Sequence, residues 1–265
     1  MTTTKPPKLS YSAKSTYEWC GRQYKYLYVD KFLPDKPVYP ATVIGTGIHA
    51  LISRMYQEKI FSLSFLHYHW YSHLQDAIKE HKFDASPKQQ EAMFKLGKKI
   101  IGSFYYMAKK EGFLIPPLKT EWRFKLRLDT FALSGIVDLI IVVNGVVYII
   151  DFKTGLKDLS QEEVDANEQL TFYALAVYTL LGIDNFRVGF FYPRTGKIKY
   201  SSRTPADYEA LIASAREMLK KIEQKQFAPT YVKCNWCRYS SRCAAEDMVV
   251  KTGLSKDWFY TEPRK

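Results

Sequence analysis

Gly135-Ile136-Val137-Asp138, followed a short way on by Asp151-Phe152-Lys153-Thr154-Gly155, is the stretch on which the reading turns. Residues 132–143 and 146–153 are runs rich in β-branched side chains. Asn144-Gly145 between them is a strong signal for a two-residue hairpin turn. Counting outward from that turn sets Asp138 directly opposite Asp151, with Cβ atoms about 4.5–5.5 Å apart. Lys153 stands two residues beyond Asp151 and projects from the same face. Two carboxylates facing each other in apolar strands repel, and burial sharpens the conflict. A divalent cation such as Mg²⁺ or Mn²⁺ relieves it, because both favour carboxylate oxygen. The alternatives are a solvent-facing pair neutralised by Lys153, or a turn of different length that breaks the register; the flanking Ile, Val and Leu residues argue against a fully solvated strand pair.

Upstream of the hairpin, Trp122, Phe124, Leu126 and Leu128 alternate with Glu121, Arg123, Lys125 and Arg127, the pattern of a half-buried strand. Pro116 and Pro117 separate it from a helical region running from Ile48 to about Gly112. Within that region, Met93, Phe94, Ile100, Ile101, Phe104 and Met107 form an apolar stripe. Lys88, Lys95, Lys98, Lys99, Lys109 and Lys110 surround the stripe, as a solvated face or as a phosphate track. Residues 1–9 read as a flexible arm, 12–28 as one helix carrying Cys20, and 33–42, with three prolines, as a loop. Downstream, Ser160 and Glu163 make a capping box that opens a helix to about Leu181. A second hairpin (186–192 and 197–203) and a helix from Pro205 to about Gln226 follow. This order predicts an α/β or α+β core in one domain, 1–265. Its parts are a helical insertion at 50–115, a sheet core at 118–203 with helix 160–181, and a cysteine segment at 228–250.

The chain has 265 residues, 39 Lys+Arg against 27 Asp+Glu and a net charge of +12, so an anionic partner is expected. Aromatic residues reach 15%, enough to supply rings that stack on bases. The polar opening MTTTKPPKLS does not read as a signal peptide, and no apolar run has the length of a membrane span. A cytoplasmic, reducing location without a membrane partner is therefore expected. Cys234-Asn-Trp-Cys237 and Cys243 form a C-x2-C-x5-C cluster, and Cys20 is the only other cysteine. Thiolates grouped in this way suit Zn²⁺ or an iron–sulfur cluster, and spacing does not choose between them.

Two other patterns carry less. Gly45-Thr-Gly47-Ile-His-Ala50 fits a dinucleotide fingerprint, but has no strand before it and no acidic residue about 20 positions on. His67, His69 and His73 sit among Tyr and Trp with no carboxylate or Cys to complete a metal site, so an aromatic-rich interface helix is expected.

Taken in order, Asp138 and Asp151-Phe152-Lys153-Thr154-Gly155 resemble the PD-(D/E)XK nuclease superfamily, and most closely its RecB/AddB/Cas4-like branch. Gly47-Ile48-His49 is similar to that family's first motif, whose His is a metal ligand. Gln169-Leu-Thr-Phe-Tyr173 resembles its QxxxY motif, and Glu121 falls where relatives often carry an acid. Cys20 with the C-terminal trio resembles the [4Fe–4S] staple of AddB and Cas4-like nucleases, although Cys20-Gly21-Arg22 stands where the family has Cys-Pro-Arg.

The resemblance implies a restriction-endonuclease-like fold: a central mixed sheet flanked by helices. It implies Mg²⁺- or Mn²⁺-dependent hydrolysis of DNA phosphodiester bonds. His49, Asp138, Asp151 and the Phe152 carbonyl would hold metal, Lys153 would serve the reaction, and Gln169 and Tyr173 would position it. A single-strand or end-processing exonuclease is expected, acting in recombination, repair, viral DNA metabolism or Cas4-like CRISPR adaptation. A helicase or a recombination or adaptation protein is the expected partner. A non-catalytic iron–sulfur module that binds nucleic acid within a larger complex is the alternative.

Overall fold

A computed structural model describes residues 6–231 and 234–252. The first five positions of the expected arm, and residues 232 and 233 of the cysteine segment, lie outside the described residues. The chain forms two compact units, Met1–Tyr11 with Val38–Arg216, and Ser12–Pro37 with Glu217–Lys265.

The first unit is a six-stranded mixed sheet flanked by helices. Its strands are β1 (Lys8–Ser10), β2 (Lys119–Arg127), β3 (Ala132–Val143), β4 (Val146–Phe152), β5 (Phe186–Tyr192) and β6 (Lys197–Ser201). The long central strand β3 pairs antiparallel with β2 along one edge. Its other edge is shared: β1 runs parallel to Ala132–Ser134, and β4 runs antiparallel to Leu139–Val143. β5 then adds parallel to β4, and β6 adds antiparallel to β5. The β3–β4 hairpin has the expected register, with Asn144 (φ 49°) and Gly145 (φ 77°) both left-handed, as a type I′ turn requires.

Three expectations are corrected. The N-terminal arm ends in a strand: Leu9 is fully buried and paired with Leu133. Three residues carry too little pattern to announce a strand that exists only through its distant partner. The helix expected over 12–28 is broken at Cys20, whose extended backbone (φ −163°, ψ 114°) divides α1 (Tyr11–Trp19) from α2 (Gly21–Tyr24); a π-helical turn follows at Lys25–Val29. The helix expected over 160–181 is two helices, α6 (Gln161–Asp165) and α7 (Glu168–Leu181). Asn167 restarts the second by accepting the Gln169 N–H at 3.0 Å on its side chain, and Arg203 donates to the carbonyls of Val164 and Asn167 at 3.2 and 3.0 Å.

The helical region is three helices, α3 (Pro40–Glu58), α4 (Leu63–Glu80) and α5 (Pro87–Lys110). Proline opens both α3 and α5 at a position where its missing N–H costs nothing. Their apolar faces close one core with Leu139, Ile141, Ile150, Phe152 and Phe191 of the sheet. Trp70 of α4 is fully buried at its centre and donates its indole N–H to the Phe94 carbonyl at 2.9 Å. Gly97 of α5 makes room for that ring, since an added Cβ would lie 2.0 Å from Cζ2 of Trp70. The last helices are α8 (Pro205–Glu223) and α9 (Ser240–Thr252), and no helix among the described residues is long and apolar enough to cross a membrane.

The Gly97 contact yields a signed prediction. Helix propensity alone favours alanine over glycine, yet Gly97→Ala is expected to destabilise the protein by about 1–3 kcal/mol through overpacking. Urea denaturation measures it, and an unchanged midpoint would show that the indole has another place to go.

Candidate active site

Three acidic residues stand in one row across β2, β3 and β4. In the β2–β3 ladder, Thr120 pairs with Leu139 and Trp122 with Val137, so Glu121 lies level with Asp138. In the β3–β4 ladder, Leu139 pairs with Ile150, and Asp138 and Asp151 form the next level. Neither carboxylate level carries a ladder pair. Glu121 takes a left-handed backbone (φ 48°), a strained conformation for a non-glycine residue inside a strand. The Asp138 side chain replaces a strand partner: its Oδ2 accepts the Phe152 N–H at 2.7 Å.

α3 brings His49 to this row. Gly45 lies one helical turn before His49, on the same face. A Cβ at Gly45 would fall 2.7 Å from the Thr154 hydroxyl, so the missing side chain lets the helix approach the segment after β4. The glycines of the dinucleotide-like pattern are therefore packing residues inside a helix. His49 Nδ1 lies 3.4 Å from Asp138 Oδ2, and its ring meets buried Phe152 edge-on at 6.0 Å. Ligand atoms of His49, Glu121 and Asp138 all fall within 4.8 Å of one another, the sole such metal-capable group among the described residues. His67, His69 and His73 form no comparable group.

Asp151 faces α7. Its Oδ1 accepts from the Tyr173 hydroxyl and from Gln169 Nε2, each at 2.9 Å. Its Oδ2 is 2.7 Å from Lys153 Nζ. Gln169 joins the group, because its Oε1 accepts from Lys153 at 2.7 Å and its Nε2 also donates to the Tyr173 hydroxyl at 2.7 Å. Lys153 Nζ stands 4.7 Å from the centre of the Phe190 ring, on β5 beside Asp151. Phe190 was not singled out from the sequence, where an apolar residue in an apolar strand gives no sign that a lysine rests on it.

The electrostatics follow from crowding. Burial raises the pKa of Asp151, and Lys153 opposes the shift. Burial, then the Asp138 charge, raises that of Glu121. For His49, burial favours the neutral ring, but Asp138, Asp151 and Glu121 outweigh it and push the pKa up to about 9. Buried carboxylates beside an imidazole suit a divalent cation that accepts both oxygen and nitrogen. The donor set therefore fits the metal that the sequence implies, with His49, Glu121 and Asp138 as its nearest donors and Asp151 adjacent.

The four cysteines all belong to the second unit. Cys20, Cys234, Cys237 and Cys243 line one cavity of about 160 Å³. Arg22 donates to Cys243 Sγ at 3.3 Å and also to Asp247. Within this unit the two chain segments are laced together by hydrogen bonds. Tyr17 donates to the Gln226 carbonyl at 2.6 Å, Tyr26 to Glu246 at 2.6 Å, and Tyr239 to the Phe32 carbonyl at 3.0 Å.

His49 gives a pH prediction. In metal-free protein its imidazole is expected to titrate near pH 9 by NMR. The stability contributed by its charge is complete below about pH 6.5, the ordinary histidine value, and is lost as pH rises through 9. Asp138→Asn should return the pKa toward the ordinary value, and Mg²⁺ should lower it by competing with the proton; an Asp138→Asn titration still near 9 would refute the assignment.

No curated protein matches the chain. Among solved structures, a protein from Eubacterium rectale provisionally named an exonuclease aligns over 97% of this chain and 94% of its own. The identity is 14% and the TM-score 0.55, a likeness of fold alone. The structure of SSO0001 aligns over 92% of this chain and 88% of its own at 14% identity, with a TM-score of 0.36, too low to carry an argument. The sequence profile described as the PD-(D/E)XK nuclease superfamily matches residues 8–244, a span holding the acidic row, Lys153, Gln169, Tyr173 and every cysteine. The mixed sheet, the acidic row and that match agree, and the chain belongs to the PD-(D/E)XK nuclease superfamily.

Proposed function

We propose that the protein is a metal-dependent deoxyribonuclease that trims single-stranded DNA or free DNA ends, acting as an exonuclease. The observation that carries the reading is the Glu121–Asp138–Asp151 row, with His49 beside Asp138 and Lys153 beside Asp151. His49, Glu121, Asp138 and Asp151, with the Phe152 carbonyl, would hold Mg²⁺ or Mn²⁺. When bound, the metal supplies a more acidic water and neutralises charge on the scissile phosphate. Lys153 orients the attacking water and stabilises negative charge on the phosphoryl oxygens. Gln169 holds the Lys153 ammonium from one side and Asp151 holds it from the other, so its position is set before DNA arrives. Tyr173 and Gln169 fix the Asp151 carboxylate through the same oxygen. The exonuclease preference, and a role beside a helicase or in recombination or CRISPR adaptation, follow from the RecB/AddB/Cas4-like resemblance.

Lys153→Ala is expected to lower cleavage of end-labelled DNA in Mn²⁺ by at least about a hundredfold, with binding retained. Cleavage at the wild-type rate would overturn the mechanism. Equal inactivity of the unmodified protein would favour a non-catalytic binding module.

We further propose that Cys20, Cys234, Cys237 and Cys243 hold a [4Fe–4S] cluster. Their side chains line one cavity, and the choice of an iron–sulfur cluster follows from the resemblance to AddB and Cas4-like nucleases. Anaerobically purified protein should be brown, with absorbance near about 400 nm, and Cys234→Ser should lose iron and lower the melting temperature. Colourless protein with stoichiometric zinc would refute the cluster.

A further inference from the structure

Gly102 is a glycine without a local reason. It sits in the interior of α5, where glycine is among the least favourable residues. Apart from the neighbouring backbone of its own helix, a Cβ built on it meets no atom of the described residues within 4 Å. Gly97 on the same helix is explained by Trp70, whereas no packing contact among the described residues calls for a glycine at 102.

Its surroundings point to a ligand. On the helix surface its neighbours are Lys98 and Lys99 one turn before and Tyr105 and Tyr106 one turn after. Tyr106 is 65% exposed. Lys98 Nζ lies 5.9 Å from the centre of the Phe94 ring, and Phe94 meets Tyr71 of α4 edge-on at 6.0 Å. Tyr71 is 60% exposed, and Tyr68, one turn before it, is 81% exposed. The strip thus alternates open aromatic rings with cations around a bare patch of helix backbone. From Phe94 to Lys109 this face of α5 carries no carboxylate. The same helix reaches the candidate active site through Phe104, whose ring packs on Phe152 at 5.5 Å.

We propose that this strip is a binding track for single-stranded DNA. Tyr68, Tyr71 and Tyr106 stack on bases, Lys98 and Lys99 hold phosphates, and Gly102 leaves room for the strand to lie against the helix. The identity of the strand as DNA rests on the nuclease reading; binding by the strip does not.

The test is fluorescence anisotropy with a labelled oligothymidylate in EDTA, where no cleavage occurs. Tyr71→Ala should weaken binding about tenfold, the loss of one stacked base, and Tyr71→Phe should restore it. Gly102→Gln should weaken binding while the melting temperature holds or rises. An abasic strand of equal length should bind wild type and Tyr71→Ala alike. Wild-type affinity in both Tyr71→Ala and Gly102→Gln would overturn the proposal, as would an equal loss on the abasic strand or competition by polyglutamate as strong as by DNA. If Lys153→Ala cleaves normally while Tyr71→Ala still loses binding, the nuclease mechanism fails and the track stands.

Discussion

Three carboxylates held level across adjacent strands dominate the physics of the first unit. Two unit charges about 5 Å apart, at an effective dielectric near 20, repel by roughly 3 kcal/mol. A surface ion pair returns only about 0–1 kcal/mol, so ordinary solvated partners do not offset a row of three. The structure answers with charge and with geometry. Lys153 and the protonation-prone His49 bring positive charge to the two ends of the Asp138–Asp151 pair. The Phe152 N–H bonds Asp138 Oδ2, and the Tyr173 hydroxyl and the Gln169 amide bond Asp151 Oδ1. The strands themselves yield, since ladder pairing is absent at both carboxylate levels and Glu121 adopts a left-handed backbone. Strain of this kind persists only where surrounding structure enforces it, and a bound cation would give it a use.

Much of the remaining architecture serves to hold side chains against that row. Gly45 lets α3 sit close enough for His49 to reach Asp138. The break between α6 and α7 places Gln169 in the first turn of a new helix, where one side chain engages Asp151, Lys153 and Tyr173. Arg203, from the segment after β6, holds that break by bonding carbonyls on either side of it. The second unit follows a different logic. Its segments come from opposite ends of the chain, and tyrosine hydroxyls bond across them to backbone and carboxylate oxygens. The extended backbone at Cys20 interrupts a helix, which turns a residue that would lie on a helical surface toward the three C-terminal cysteines.

The legible part of the site was what local register controls. A two-residue turn leaves one pairing for the strands beside it, so the levels of Asp138, Asp151 and Lys153 could be counted outward from Asn144-Gly145. Glu121 was legible by the same arithmetic, although its place was inferred only from resemblance. The Leu128–Phe131 turn, closed by the Leu128 N–H to the Phe131 carbonyl at 2.9 Å, fixes β2 against β3 and brings Glu121 level with Asp138. The strand at Leu9 and the helix breaks at Cys20 and Asn167 were not legible. Each depends on a partner far along the chain, or on a cap that competes on equal terms with a continuous helix.

The sequence by itself determined the hairpin, the Asp138–Asp151 pair, the lysine two residues beyond and the grouping of cysteines, because strand alternation and tight turns act over a few residues. Only the tertiary structure decided that His49 joins the row and that Gln169 links Asp151, Lys153 and Tyr173. It also decided that Gly102 stands open beside exposed rings. Those facts depend on how helices dock on the sheet, which is set by close packing between surfaces distant in the chain, the approach of Gly45 to Thr154 among them.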